Sequence, residues 1–234
     1  MKFDFDTIDG FGKITHQDFI YNPINFYPEN TEEALNMGLL PDEASRRQPM
    51  PWFASRSIRI KVDDFKATKT SIKFSKRIEV KELRNVEIGL HFDILVEIFL
   101  RYSSIKGFKN PFDLKPLVYN NFKEKVVLLY YYQDVPVAFC VLRVFKTSMC
   151  SLQFAWDYAN PFLGLGIVSQ YIENEFAKRN NIQYDYLMPA YESSCLYKAD
   201  FRGIEWFTGN RWSNDTDILK TLMKRDDKFH IDEY

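Results

Sequence analysis

Histidine and cysteine are scarce in this chain, with three of each in 234 residues. Cys140, Cys150 and Cys195 form no C-x-x-C pair, and His16, His91 and His230 stand far apart. Too few ligands lie together for a structural zinc site, and too few cysteines for a disulfide framework. No Ser-His-Asp or Cys-His motif marks a nucleophile with its base. Net charge is also missing, at a formal −1, so a nucleic-acid partner would need a local patch rather than a global field. No apolar run approaches the roughly 20 residues of a membrane-spanning helix; VVLLYYY is among the longest. The opening MKFDFDTIDGFG lacks the basic region and apolar run of a signal peptide. A soluble cytoplasmic protein is expected, with no metal, no cofactor and no membrane partner.

Apolar and aromatic mass is plentiful, at 46% hydrophobic and 17% aromatic, which is enough for a sizeable core. Residues 1–30 read as irregular structure and short strands. TEEALNMGL (31–39) carries a helix signal, with Thr31 as N-cap, acids in the first turn and Gly38 as stop. Pro41, Pro49 and Pro51 mark 40–55 as a loop. Ile58, Ile60 and Val62 alternate with Arg59, Lys61 and Asp63, predicting a strand with one wet face. Leu90, Ile94, Leu95, Ile98, Phe99 and Tyr102 recur at helical spacing, and 108–122 reads as a connection.

The middle of the chain is the most legible. VVLLYYYQ (126–133), VAFCVLRVFK (137–146) and MCSLQFAWDY (149–158) predict a three-strand antiparallel meander. NPFLGLG leads into a helix over IVSQYIENEFAKRNN, with Val168, Tyr171, Ile172 and Phe176 on one face. YDYLMPA (184–190) is a strand again, making a strand–helix–strand unit whose strands are expected to lie parallel. NDTDILKTLMK (214–224) reads as a short amphipathic helix. This order is that of the Gcn5-related N-acetyltransferase (GNAT) fold, an α+β mixed sheet flanked by helices. On that comparison the sheet splays after the 149–158 strand. Backbone N–H groups beside Gly164 and Gly166 would then meet a phosphate or acyl oxygen.

Two stretches concentrate cations. Between Arg46 and Lys81 eleven Lys and Arg residues face only Asp63, Asp64 and Glu79, which fits a solvated face and a phosphate-binding surface equally. Further on, YDYLMPAYESSCLYKADFRGIEWFTGNRW (184–212) sets Lys198, Arg202, Glu205 and Arg211 among Tyr197, Phe201, Trp206 and Trp212. Cations among rings suit a ligand with phosphates and flat bases, or a domain edge whose Arg and Lys stems cover aromatic core.

The same residues resemble a family. Asp157, Leu163-Gly164, Ile172-Glu173, Tyr184-Asp185-Tyr186-Leu187, Tyr197-Lys198-Ala199-Asp200-Phe201-Arg202 with Glu205, and Gly209-Asn210-Arg211-Trp212 resemble the C-terminal half of the aminoacyl-tRNA–protein transferases. These are the arginyltransferases and bacterial leucyltransferases of the N-degron pathway. ALNMGL and SIRIKVDDFKATKTSIKFSKR resemble segments of their N-terminal half, so the likeness runs over roughly residues 25–213. Three departures stand out. The family's cysteine motifs are absent, Pro51-Trp52-Phe53-Ala54-Ser55-Arg56 standing in for the second. Phe162 replaces the Ser of its Ser-Leu-Gly entry, and Gly203 replaces the Pro of its Phe-Arg-Pro.

The resemblance implies two parts, a degenerate acceptor-recognition region over 1–55 and a GNAT-like transferase domain over 56–234. It implies charged tRNA as donor and a protein or peptide N-terminal amine as acceptor. The amine attacks the aminoacyl ester, so the protein's tasks are positioning, proton removal and oxyanion stabilisation. Asp157 would accept the proton or anchor the amine, or else simply cap a turn. Lys198 and Arg202 would contact terminal phosphates or ribose, and Glu205 would orient Arg202 or read the aminoacyl ammonium. Tyr197 and Trp156 would stack on the terminal adenine, with Gly164, Gly166 and Arg211 also at the substrate. Arg59, Lys69, Lys73, Lys76 and Arg77 would supply salt-sensitive tRNA contacts. Two other classes stay open: a coenzyme-A-dependent N-acetyltransferase taking acetyl-CoA, and a catalytically silent RNA- or peptide-binding module.

Overall fold

The computed structural model describes residues 22–24, 31–43, 52–108, 111–159, 161–190, 193–209 and 211–230. In chain order the N-terminal elements are β1 (Asn22–Ile24), α1 (Thr31–Asn36), β2 (Leu39–Pro41), β3 (Trp52–Ala54) and β4 (Ser57–Lys61). Then come α2 (Lys69–Ser75), β5 (Glu79–Leu83), α3 (Val86–Lys106), α4 (Leu114–Tyr119), β6 (Lys125–Tyr132), β7 (Val135–Val144) and β8 (Ser148–Trp156). The chain continues through α5 (Leu165–Arg179), β9 (Tyr184–Pro189), a 3-10 stretch (Ser193–Asp200), β10 (Ile204–Phe207), β11 (Trp212–Ser213) and α6 (Thr216–His230). This is the α+β, GNAT-like class expected: an antiparallel meander, a glycine-bearing entry, a helix and a further strand.

Two compact units share these elements, and their division does not follow a boundary near residue 55. One comprises residues 1–42, 47–66 and 183–234, the other 43–46 and 67–182. In the first, β1, β3 and β2 form a small antiparallel sheet. β11, β10, β4 and β9 form a second antiparallel run, with Arg59 directly opposite Glu205 on one side and Tyr186 on the other. Side chains alternate across a strand, so Ile58, Ile60, Ile204 and Trp206 turn to the opposite face, where all are buried. The expected wet face of β4 fails at Arg59, which is buried with Ser57, Ile58 and Ile60, while Lys61 and Asp63 are exposed. Sequence alternation shows that the two faces differ, not that one of them meets water.

The second unit is built on β5, β6, β7 and β8, paired antiparallel in that order. Val126 to Tyr130 on β6 and Ala138 to Leu142 on β7 are fully buried. Three charges are buried with them. Lys125 and Arg143 lie opposite each other across β6 and β7, and Glu43 bridges them at 2.9 Å and 2.6 Å. Burial pulls the Lys125 ammonium below the ordinary lysine value despite Glu43. Burial acts the same way on Arg143, but Glu43 and Glu124 outweigh it and hold that guanidinium above its usual range.

Local expectations were corrected at several places. The loop expected over 40–55 contains β2 and β3, and the connection over 108–122 contains α4, capped by Asp113 accepting from Lys115 N. Leu90 keeps helical spacing with its neighbours but is 77% exposed. The readings over residues 1–21, 25–30 and 44–51, with Pro51 and Asn210 of the quoted motifs, lie outside the described residues. No described helix is long and apolar enough to cross a membrane.

Candidate functional site

In the first unit the segments that carry the family resemblance converge on Arg59. Its guanidinium carbon lies 4.0 Å from the centre of the Tyr184 ring and 4.0 Å from that of Trp212. Nε donates to Glu205 Oε2 at 2.7 Å, and one terminal nitrogen donates to Tyr186 Oη at 3.2 Å and Asn36 Oδ1 at 3.3 Å. Trp212 Nε1 in turn donates to the Asn36 carbonyl at 2.9 Å. Strand register explains the assembly. Glu205, Arg59 and Tyr186 are cross-strand neighbours, Tyr184 is two residues from Tyr186, and Trp212 pairs with Phe207 on the strand that bears Glu205. Directly opposed side chains on one face are within reach of each other.

Arg59 is thus 7% exposed. It is an internal cation rather than the surface tRNA contact expected, because the Tyr184 and Trp212 rings pack against it and Glu205 pairs with its charge. Glu205 keeps 28% of its side chain exposed. It lines an open pocket of about 450 Å³ together with Lys61, Asp64, Asp200, Asn214 and Lys220. Two ion pairs stand in that wall, Lys61–Asp64 at 3.0 Å and Lys220–Asp200 at 2.6 Å. Hydrogen bonding and charge from Asp64 hold the Lys61 ammonium above the ordinary lysine value, and Asp200 does the same for Lys220. Gly203 shapes the rim: its φ is +82°, and a Cβ there would sit 2.9 Å from the Lys61 carbonyl oxygen. Only glycine tolerates both, and proline, with φ fixed near −65°, would not fit here.

The other residues expected near the donor end are distributed around this core. Lys198 donates to the Leu187 carbonyl at 3.2 Å and is half-buried. Tyr197 is 40% exposed, edge-on to Phe201. Arg202 and Arg211 are exposed, and Arg202 is not the partner of Glu205; Arg59 is. Tyr184, Tyr186, Trp212 and Asn36 received no site role from the sequence, although the Tyr-x-Tyr spacing places two rings on one strand face.

In the second unit, Asp157 accepts from Ala159 N at 2.9 Å and lies 3.5 Å from Arg101 Nε. That is a turn-capping carboxylate held by one cation. Trp156 stacks on Tyr158 with centroids 3.8 Å apart. Gly164, at φ +57°, caps α5 without a side-chain hydrogen bond, and a Cβ at Gly164 or Gly166 would meet nothing within 4 Å. The start of this helix is open to a close-approaching ligand. Lys69, Lys73, Lys76 and Arg77 are all exposed along and just beyond α2, and none has an acidic partner among the described residues. Thr68 fixes that helix by accepting from Ser71 N.

No protein-family model and no curated protein matches the chain. Solved structures do resemble it. One is the C-terminal domain of a protein described as a lysylphosphatidylglycerol synthetase from Agrobacterium fabrum, with TM-score 0.48 and 11% identity over 83% of this chain and 68% of that one. FemX gives TM-score 0.46 and 6% identity over 68% of this chain and 59% of its own. The ribosomal-protein-S18-alanine N-acetyltransferase from Escherichia coli gives 0.32 and 17%, covering 44% and 61%.

Proposed function

We propose that this chain is an aminoacyltransferase of the arginyl- or leucyltransferase type. It takes an amino acid from charged tRNA and passes it to the N-terminal α-amine of a protein or peptide. One observation carries the proposal: four separated segments with family likeness, holding Arg59, Tyr184 and Tyr186, Glu205, and Trp212, meet in one cluster.

The reaction needs little covalent help. The acceptor ammonium loses a proton, and its nitrogen attacks the ester carbonyl. The tetrahedral oxyanion then collapses to an amide as the ribose hydroxyl of the tRNA leaves and takes up a proton. Glu205, at the wall of a pocket that also holds Asp64 and Asp200, would hold the ammonium of the donated amino acid. Asp157 would take the acceptor's proton, and the α2 cations would hold tRNA phosphates. Lys198 and Tyr197 would serve the donor's terminal nucleotide.

The test is transfer of labelled amino acid from bulk charged tRNA to a peptide library. Transfer is expected with the wild type, with Glu205→Gln reduced at least tenfold. Asp157→Asn should slow transfer without weakening tRNA binding. Absence of transfer with every charged tRNA would sink the proposal. The unobstructed Gly164 and Gly166 at the start of α5 favour a second reading, a coenzyme-A-dependent acetyltransferase, which predicts tight acetyl-CoA binding.

A further inference from the structure

We infer that Arg59 is the positioning residue for Glu205, and that the slot between Tyr184 and Trp212 is shaped for a guanidinium and not for an ammonium. The role assigned to Glu205 rests on the transferase reading; the selectivity of the slot does not.

Three observations support this. First, two ring centres, those of Tyr184 and Trp212, each lie 4.0 Å from Arg59 Cζ, and the residue is 7% exposed. A planar, weakly hydrated cation fits between two rings, whereas a tetrahedral, strongly hydrated ammonium does not. Second, the edge donors are divided. Nε goes to Glu205 at 2.7 Å, while a terminal nitrogen goes to Tyr186 and Asn36 at 3.2 Å and 3.3 Å. A lysine has no second set of fixed donors to hold both groups in one plane. Third, Glu205 has no other cationic partner among the described residues within ion-pair reach. Its carboxylate therefore faces the pocket at an angle set by Arg59. The rigidity comes from the strand pairing of Arg59 with Glu205 and Tyr186.

The test compares Arg59→Ala and Arg59→Lys with the wild type. Low-millimolar guanidinium chloride should raise the thermal midpoint of Arg59→Ala, and sodium or ammonium chloride at equal ionic strength should not. In wild type, whose slot is filled, guanidinium should give no rise. No guanidinium-specific rise in Arg59→Ala would overturn the selectivity of the slot.

In the transfer assay both variants should show KM for charged tRNA raised at least fivefold, with methylguanidinium recovering part of the loss only for Arg59→Ala. A lower kcat at unchanged KM would mean a smaller folded fraction and overturn the positioning role. If Arg59→Ala does not fold, Tyr184→Leu and Trp212→Leu each remove one wall and leave the ion pair's partners in place. KM unchanged in both would overturn the positioning role. Wild-type protein inactive with every charged tRNA would overturn the transferase reading and the role of Glu205 with it, while the thermal shifts still decide the slot.

Discussion

Replacing Lys69, Lys73, Lys76 and Arg77 together by alanine should flatten the salt dependence of tRNA binding, and the structure sets the size of the effect. The four cations lie at i, i+4, i+7 and i+8 along and just past α2, all exposed and none matched by an acid among the described residues. At about 1.5 Å per residue, Lys69 to Lys76 covers about 10 Å, a short run of backbone. If each cation neutralises one phosphate, the slope of log affinity against log salt falls by about 3.6 on duplex RNA, taking the duplex coefficient, and by about 2.8 on a single strand. Between about 50 and 200 mM salt the wild type should then lose roughly 150-fold in affinity through these contacts on a duplex, and roughly 50-fold on a single strand. The variant should lose little beyond its other contacts. With a formal net charge of −1, no global attraction masks the difference. Filter binding of charged and uncharged tRNA across that salt range is the assay. A slope that changes by less than about one would refute the assignment of this surface. Circular dichroism should be unchanged, since none of the four side chains is buried.

Other expectations follow from buried and strained positions. Glu43→Gln leaves the buried Lys125 without its carboxylate partner and Arg143 with Glu124 alone, so urea unfolding should show a loss of about 3–5 kcal/mol; less than about 1 kcal/mol would mean the Lys125 charge is already compensated. The depressed Lys125 value makes a signed claim about pH. Its contribution to stability is complete above the ordinary lysine value of 10.5 and is lost as pH falls through the lowered folded value. The stability of wild type relative to Lys125→Met should therefore rise as pH climbs from the lowered folded value toward 10.5. Gly203→Ala should cost about 1–3 kcal/mol in thermal unfolding, and Gly203→Pro more, because φ of +82° lies far outside proline's range.

Much of the second unit was legible in the sequence, because its strands are continuous apolar runs and its long helices repeat apolar residues at helical spacing. Strand ends for β6, β7 and β8 fell within one or two residues of those expected. α4 escaped because Pro116 sits inside it, and a proline within six residues reads as a breaker although it is tolerated in a first turn. Leu90 shows the limit of periodicity, which gives the face of a helix but not how far the partner surface extends. Arg59 shows the same limit for a strand. Its alternation with isoleucines was plain, but the rings that cover it come from residues 125 and 153 positions later. The side chains that would act were legible mainly through family likeness: Glu205 was singled out, while its true partner was assigned to the surface.

The pairing of distant segments also has a consequence in time. Arg59 and Glu205 are separated by 146 residues, and the first unit is completed only by residues 183 onward. At about 5–20 residues per second, synthesis separates the two by roughly 7–30 s. During that interval the chain carries a β4 strand rich in isoleucine, with neither β9 nor β10 yet made to pair with it. Residues 67–182, by contrast, can already close most of the second unit. The edge of β4 is thus open to wrong pairing in the nascent chain, and charges such as those of Arg59 and Lys61 are the kind that oppose joining to other strands.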